Sequence, residues 1–423
     1  MTPRSEYVAP PDPDFKKAAL AGQQAFWRDR PKVVAFDTET EGFNWHDPAF
    51  CATLAWERAD ADMHCIGPGP GPKNVLLGGD NVVTYPTFKK LKEAGPGLEV
   101  HYFELSDRFD STQMLEQMFH VPEVLVGHNL KFDLHRGIAG GWIDPGRLTP
   151  DTIEDTEALA HLDDEHRVKA LKDLAVLLLG VEDVIEVEIK SGKNKGQVKR
   201  VPREKHEIEE AKKWAKKEYG FKSVKDVGYH LLPRGVIYPY ALKDAEFTLQ
   251  LYHLLKPRIE QYEDLSSLYR QEMELSLVFL DLEAAGMGCR PDYVDEKIKH
   301  YSKAVLATEQ QIAEIVDREV ISAILPRGKP SEEKGKFNPN SPEQVLTFLE
   351  DAGYPCTSTE ADELKKVDHP LAARIVDLRH DLKLRNTYFM AIKEGQRDGV
   401  FHPAVRQHGT VTGRSSSGKA KGD

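Results

Sequence analysis

The sequence predicts an α/β domain built on a mixed sheet, followed by a mostly α-helical region. Three observations carry this. The apolar run "VVAF" at 33–36 reads as a buried strand and turns abruptly acidic in "DTETE". Strand-like and helix-like stretches then alternate as far as residue 262, the pattern of a sheet with helices on its faces. Beyond residue 262 the apolar spacing is helical over most of the remaining chain.

Taken in order, residues 1–31 form a Pro-rich, partly flexible arm whose start, "MTPRSEYVAPPDPDF", has no apolar core of the signal-peptide kind. After the strand at 33–38, "ATLAWE" and "HCIG" read as further strands. The run "GPGPGP" at 67–72 is loop, because alternating Pro and Gly sustains neither ladder nor helix. "DSTQMLEQMF" is a helix and "EVLVGHN" a second buried strand, completing an α/β domain over 32–262. The region 263–423 opens with two long helices, 258–285 and 291–318, parted by the stop signals Gly286, Gly288 and Pro291. In "NSPEQVLTFLEDAG", Ser341 caps a helix, Pro342 takes its first position and Gln344 completes a capping box.

With 423 residues, 40% of them hydrophobic, the chain can bury two or three cores, and it has no apolar stretch long enough to cross a bilayer. Cys51, Cys65, Cys289 and Cys356 stand apart with no C-x-x-C pair, which excludes a zinc cluster or disulfide framework and fits a reducing cytoplasm. The net charge of −12 argues against a chain that coats nucleic acid with its whole surface. One island, 190–225, nevertheless holds 13 basic residues against 5 acidic. It reads either as a solvated insertion, with "KSGKNKGQVKR" as a hairpin beside a charged helix, or as a surface that meets phosphate.

Carboxylates at the end of a buried strand are unfavourable unless something cationic sits there. Side chains alternate in a strand, so Asp37 and Glu39 share a face. In "GHNLKFDL" a strand gives way to a helix, with Asn129 and Asp133 four residues apart on one helix face. In "YPYALKDAEFTLQLY", Pro239 suits a first helical turn, and Tyr240 and Asp244 are again four apart. Convergence of Asp37, Glu39, Asp133 and Asp244 would raise their pKa values by mutual repulsion. Two divalent cations would relieve it, and all-oxygen ligands favour Mg²⁺ or Mn²⁺. Such a pair, about 4 Å apart, suits phosphodiester hydrolysis, with Tyr240 holding the attacking water.

"FDTETEGF", "GHNLKFDL" and "YALKDAEFTLQLY" resemble the three exonuclease motifs of the DEDD superfamily in its tyrosine subclass, and no catalytic position departs from the pattern. "EDTEALAHLDDEHRVKALKDLAVLLLG" resembles the segment between the second and third motifs. The match is to the proofreading 3′–5′ exonuclease domain of family A DNA polymerases, which implies a ribonuclease H-like fold. It also implies that Asp37 bridges two metals, that Glu39 and Asp244 complete one site, and that Asp133 serves the other mainly through water. Tyr240 completes the catalytic set, and Thr40, Phe43, Asn129 and Arg414 are implied substrate contacts, Phe43 as a wedge against the terminal bases.

The resemblance continues past residue 262. "LYRQEMELSLVFLDLEAAGMGCRPDYVDE" and "FNPNSPEQVLTFLEDAGYP" resemble a polymerase thumb, while "HPLAARIVDLRHDLKLRNTY" and "GVFHPAVRQHGTVTGRSSS" resemble the approach to the palm. Lys383 and Arg385 are phosphate contacts by the same resemblance, or surface charges by the residues alone. The polymerase carboxylates and the fingers helix are absent from the 423 residues, so a second polypeptide carrying palm and fingers is expected as a partner, alongside a DNA 3′ end. Two other readings stand beside a DNA exonuclease: an RNA-trimming nuclease of the RNase D type, and a non-catalytic DNA-binding scaffold.

Overall fold

The computed structural model describes residues 12–41, 47–59, 97–181, 184–188, 196–318 and 337–418. Its contacts divide the chain into two units, Met1–Ala285 with Ala404–Asp423, and Gly286–Pro403.

The first unit is built on a six-stranded mixed sheet. Its strands are β1 (Val33–Thr40), β2 (Ala49–Glu57), β3 (Leu98–Ser106), β4 (Phe109–Asp110), β5 (Val124–Gly127) and β6 (Ile153–Asp155), in spatial order β4-β3-β2-β1-β5-β6. The β1–β2, β2–β3 and β3–β4 pairs are antiparallel, whereas β1–β5 and β5–β6 are parallel. β1 is therefore central and flanked by β2 and β5, which explains its unbroken apolar start. Alternation divides its side chains. Val34 and Phe36 join one core, where the Phe36 ring meets Phe119 edge-on at 5.2 Å and Trp142 at 6.2 Å. Ala35 packs on the other face against Ala55, Val126, Ala245 and Leu249.

Helix α1 (Phe15–Asp29) was not expected, since 1–31 reads as an arm. Asp14 accepts from the Lys17 N–H at 3.0 Å, and Ala19, Gly22, Ala25 and Phe26 bury against the sheet. A Cβ at Gly22 would lie 2.8 Å from the Phe103 ring, so the approach to β3 requires glycine. The remaining helices are α2 (Thr112–Phe119), α3 (Lys131–Ala139), α4 (Thr156–Asp163), α5 (Leu171–Leu179), α6 (Arg203–Tyr219), α7 (Arg234–Glu260) and α8 (Glu263–Ala285). Between α5 and α6, β7 (Val184–Glu188) and β8 (Val198–Pro202) pair as an antiparallel hairpin. α7 begins at Arg234, so Pro239 lies inside it and not in its first turn.

The expected division at 263 also differs from the observed one. Tyr269, Met273 and Leu280 of α8 bury in the first unit's core, and the Asp155 N–H donates to the Tyr269 hydroxyl at 2.9 Å. In the second unit, β9 (Met287–Gly288) precedes α9 (Pro291–Arg318), α10 (Pro342–Asp351), α11 (Ala361–Leu364) and α12 (Pro370–Lys383). A π-helical turn, Leu384–Phe389, leads from α12 to α13 (Met390–Gly395). β10 (Gln396–Arg397) and β11 (Val400–Phe401) then pair in the order β10-β11-β9. Ile312, Phe348, Leu371 and Ile375 belong to its core. Ser341 caps α10, accepting from the Gln344 N–H at 3.4 Å. The box is not reciprocal, because the Gln344 side chain accepts instead from the Asn338 N–H at 2.7 Å. β12 (Ala404–Arg406) and β13 (Ser416–Gly418) return to the first unit, where the Ser276 hydroxyl of α8 donates to Gln407 at 2.7 Å.

Among the described residues no helix is long and apolar enough to cross a membrane, and Cys51, Cys289 and Cys356 are free thiols. "HCIG", "GPGPGP", Cys65 and Phe43 lie outside the described residues.

Candidate metal centre

The second face of β1, where Ala35 meets α7, continues beyond the apolar run as Asp37 and Glu39. Asp37 pairs opposite Thr53, and the Thr53 hydroxyl donates to the Ala241 carbonyl of α7 at 3.0 Å. That bond ties α7 to the sheet at the level of Asp37. Asp244, three residues further along α7, then reaches the strand end. Carboxylate oxygens of Asp37, Glu39 and Asp244 all lie within 4.8 Å of one another. The ladder slips between Glu39 and Thr40, where β1 leaves its regular register.

Burial raises the Asp37 carboxyl well above its ordinary range, and Asp133, Asp244 and Glu39 push it further by repulsion. Glu39 is raised by burial and by Asp244. Asp244 is raised by burial and partly relieved by Lys172. Three close carboxylates that hold protons so tightly form a donor set that a hard divalent cation would neutralise. The only ammonium that ion-pairs with these three, among the described residues, is Lys172 of α5, on Asp244. Lys172 is shared with Glu204 at 3.1 Å, and its ammonium lies 4.3 Å from the centre of the Tyr240 ring. Oxygen donors, mutual repulsion and a resident cation on one acid all fit a site for a hard divalent cation.

Asp133 stands outside this group of three. It lies on α3 and is 3% exposed, accepting from the Thr38 N–H at 3.0 Å and the Thr38 hydroxyl at 2.5 Å. Burial pushes it up to about 7 against the lowering effect of those bonds. Asn129 is not on the helix face with Asp133, as the spacing had suggested. It precedes α3 with φ 56°, and its N–H donates to Asp155 at 3.0 Å, so the chain turns before helix begins. Its side chain is exposed. Tyr240 is raised by burial and then by Asp244 and Glu39, and its ring meets Tyr229 edge-on at 5.8 Å. Thr40 is buried, and Arg414 stands exposed between β12 and β13.

Sequence reasoning missed Thr38, Asp155 and Lys172. Asp155 carried a signal, since "EDTEAL" is an N-cap followed by a helix, and its carboxylate does cap α4 through the Glu157 N–H at 2.8 Å. Its second role, accepting from Asn129 and Leu130, joins segments more than twenty residues apart and has no local signature.

No family model matches the sequence. The chain is 28% identical over 317 residues to the DNA polymerase of Escherichia phage T5, covering 70% of this chain and 33% of the phage protein. It is 30% identical over 212 residues to DNA polymerase I of Chloroflexus aurantiacus, covering 46% of this chain and 21% of the relative. The chain thus spans a third or less of these two relatives. Among solved structures it matches the POL domain of Pol1 from M. smegmatis in complex with DNA primer-template and dNTP. That match has a TM-score of 0.54 and 17% identity, and it covers 96% of this chain and 54% of that one.

Proposed function

We propose that this relative of the family A DNA polymerases carries, in its first unit, a metal-dependent 3′–5′ DNA exonuclease. The observation that supports the reading is the clustered trio Asp37, Glu39 and Asp244 beside Tyr240, on the first and third of the segments that resemble exonuclease motifs. Asp37 would be shared between two metals, Glu39 and Asp244 would complete one site, and Asp133 would serve the other through water. When bound, the pair of cations supplies an activated water and a neutralised leaving oxygen. Tyr240 keeps its proton, because burial and the neighbouring acids oppose ionisation, and so it can orient that water as a donor. Asn129, exposed on its turn, and Thr40 would contact the terminal nucleotide, as the resemblance implies. Residues 263–423 correspond, by the same resemblance, to a polymerase thumb and the approach to the palm.

The test is digestion of 5′-labelled single-stranded DNA with Mg²⁺ or Mn²⁺. Stepwise loss from the 3′ end, releasing nucleoside monophosphates, is expected, and should vanish in EDTA and in Asp37→Ala. Tyr240→Phe should be slower by about 100-fold with metal binding retained. Undiminished digestion by Asp37→Ala would refute the assignment, and faster cleavage of a matched RNA would redirect it to RNA trimming.

A further inference from the structure

Helix α6 lies within the basic island, and its wheel is asymmetric. Ile208, Ala211 and Ala215 are its buried residues. At 100° per residue, Lys205, Lys212 and Lys216 fall in one row on one flank of that face, while Glu207 and Glu218 fall on the other flank. The row covers about 16 Å of helix. None of its three ammonium groups has a carboxylate partner among the described residues, although Glu209 lies beside the row. On the outer face, by contrast, Lys213 pairs with Glu210 at 2.6 Å.

The row approaches the site at its middle. The Lys212 ammonium lies 4.5 Å from the centre of the Tyr229 ring, and Tyr229 packs edge-on against Tyr240 at 5.8 Å. The Tyr240 ring in turn lies 4.3 Å from the Lys172 ammonium, which ion-pairs with Asp244. The middle one of three aligned cations thus stands near an acid cluster in a chain of net charge −12. Partial burial lowers the pKa of the Lys212 ammonium.

We propose that Lys205, Lys212 and Lys216 form a track that carries the phosphates of a single DNA strand toward Asp37, Glu39 and Asp244. The inference rests on the nuclease reading and adds the path of its substrate. Single-stranded DNA supplies evenly spaced charges that such a row can neutralise, releasing counterions as it does so.

The salt dependence of affinity reads this directly. Binding of a fluorescent single-stranded oligonucleotide is measured in EDTA at several salt concentrations for the full chain. In Lys205→Gln/Lys212→Gln/Lys216→Gln the slope of log K against log salt should fall by about 2, at roughly 0.7 per phosphate contact. The outer-face variant Lys213→Gln/Lys217→Gln should keep the wild-type slope. Equal slopes in wild type and the triple variant overturn the track, as does an equal fall per charge in the outer-face variant. Wild-type digestion is assayed in parallel. Digestion with equal slopes removes the track alone, and a reduced slope without digestion removes the nuclease reading alone.

Discussion

Asp133 is subject to opposed forces: burial favours its proton, and two bonds from Thr38 favour its charge. Burial wins, so the carboxyl sits at about 7 against an ordinary 3.8. Between about pH 4 and 7 the metal-free folded protein therefore keeps a proton that the unfolded chain has lost, and stability falls as pH rises through that window. Asp133→Asn removes the titration and keeps an acceptor for Thr38. The variant's stability relative to wild type should thus grow from pH 4 to 7 and then level, as read from melts in EDTA. Parallel curves would contradict the raised value. Lys172 offers a second test, because its ammonium occupies Asp244 and opposes an incoming cation. Lys172→Met should bind Mn²⁺ about tenfold more tightly by calorimetry, the scale of one nearby charge in a partly solvated site. Unchanged or weaker binding would mean that Lys172 does not compete with metal.

At the scale of elements, the turn from β5 into α3 depends on a carboxylate from β6. Asp155 accepts from the Asn129 N–H at 3.0 Å, the Leu130 N–H at 2.9 Å and the Glu157 N–H at 2.8 Å. The same residue thus stabilises the left-handed Asn129 and caps α4. Asp155→Ala would leave backbone donors buried without an acceptor, at about 2–4 kcal/mol of stability. Urea unfolding measures this, and a loss below about 1 kcal/mol would show that water replaces the carboxylate. The proposed exonuclease activity should fall with it, since Asp133 follows on α3.

At the scale of the whole chain, Glu283 gathers segments far apart in sequence into the first unit. It is 4% exposed on α8 and ion-pairs with Lys131, meets His135 at 2.6 Å and accepts from the Val405 N–H at 2.5 Å. Burial alone would raise its carboxyl, but the His135 and Lys131 contacts outweigh this and hold it below the ordinary value. It therefore favours the folded state above its unfolded pKa and loses that contribution as pH falls. Glu283→Ala would leave the Lys131 charge buried and unpaired, a loss of about 3–5 kcal/mol in denaturant unfolding at neutral pH. A loss within experimental error would mean that Lys131 reaches solvent. This network also joins α3, which carries Asp133, to α8 and β12, on either side of the second unit in the chain.

The strand starting at Val33, the shared face of Asp37 and Glu39 and the one-turn spacing of Tyr240 and Asp244 were legible in the sequence, because they follow from the local periods of strand and helix. So were helix α10 and its Ser341 cap. The helix Phe15–Asp29 was overlooked behind a Pro-rich start, although Asp14 caps it and its buried Ala19, Gly22, Ala25 and Phe26 follow helical spacing; only the fold shows Gly22 meeting β3 and Phe26 meeting Trp56. Only tertiary structure decided that Asp133 turns to Thr38, that Lys172 occupies Asp244, and that Asn129 leaves the helix for Asp155. Those choices join residues up to 95 positions apart. They depend on which side chains meet at the end of a folded strand, whereas a periodic pattern records only which way each one faces.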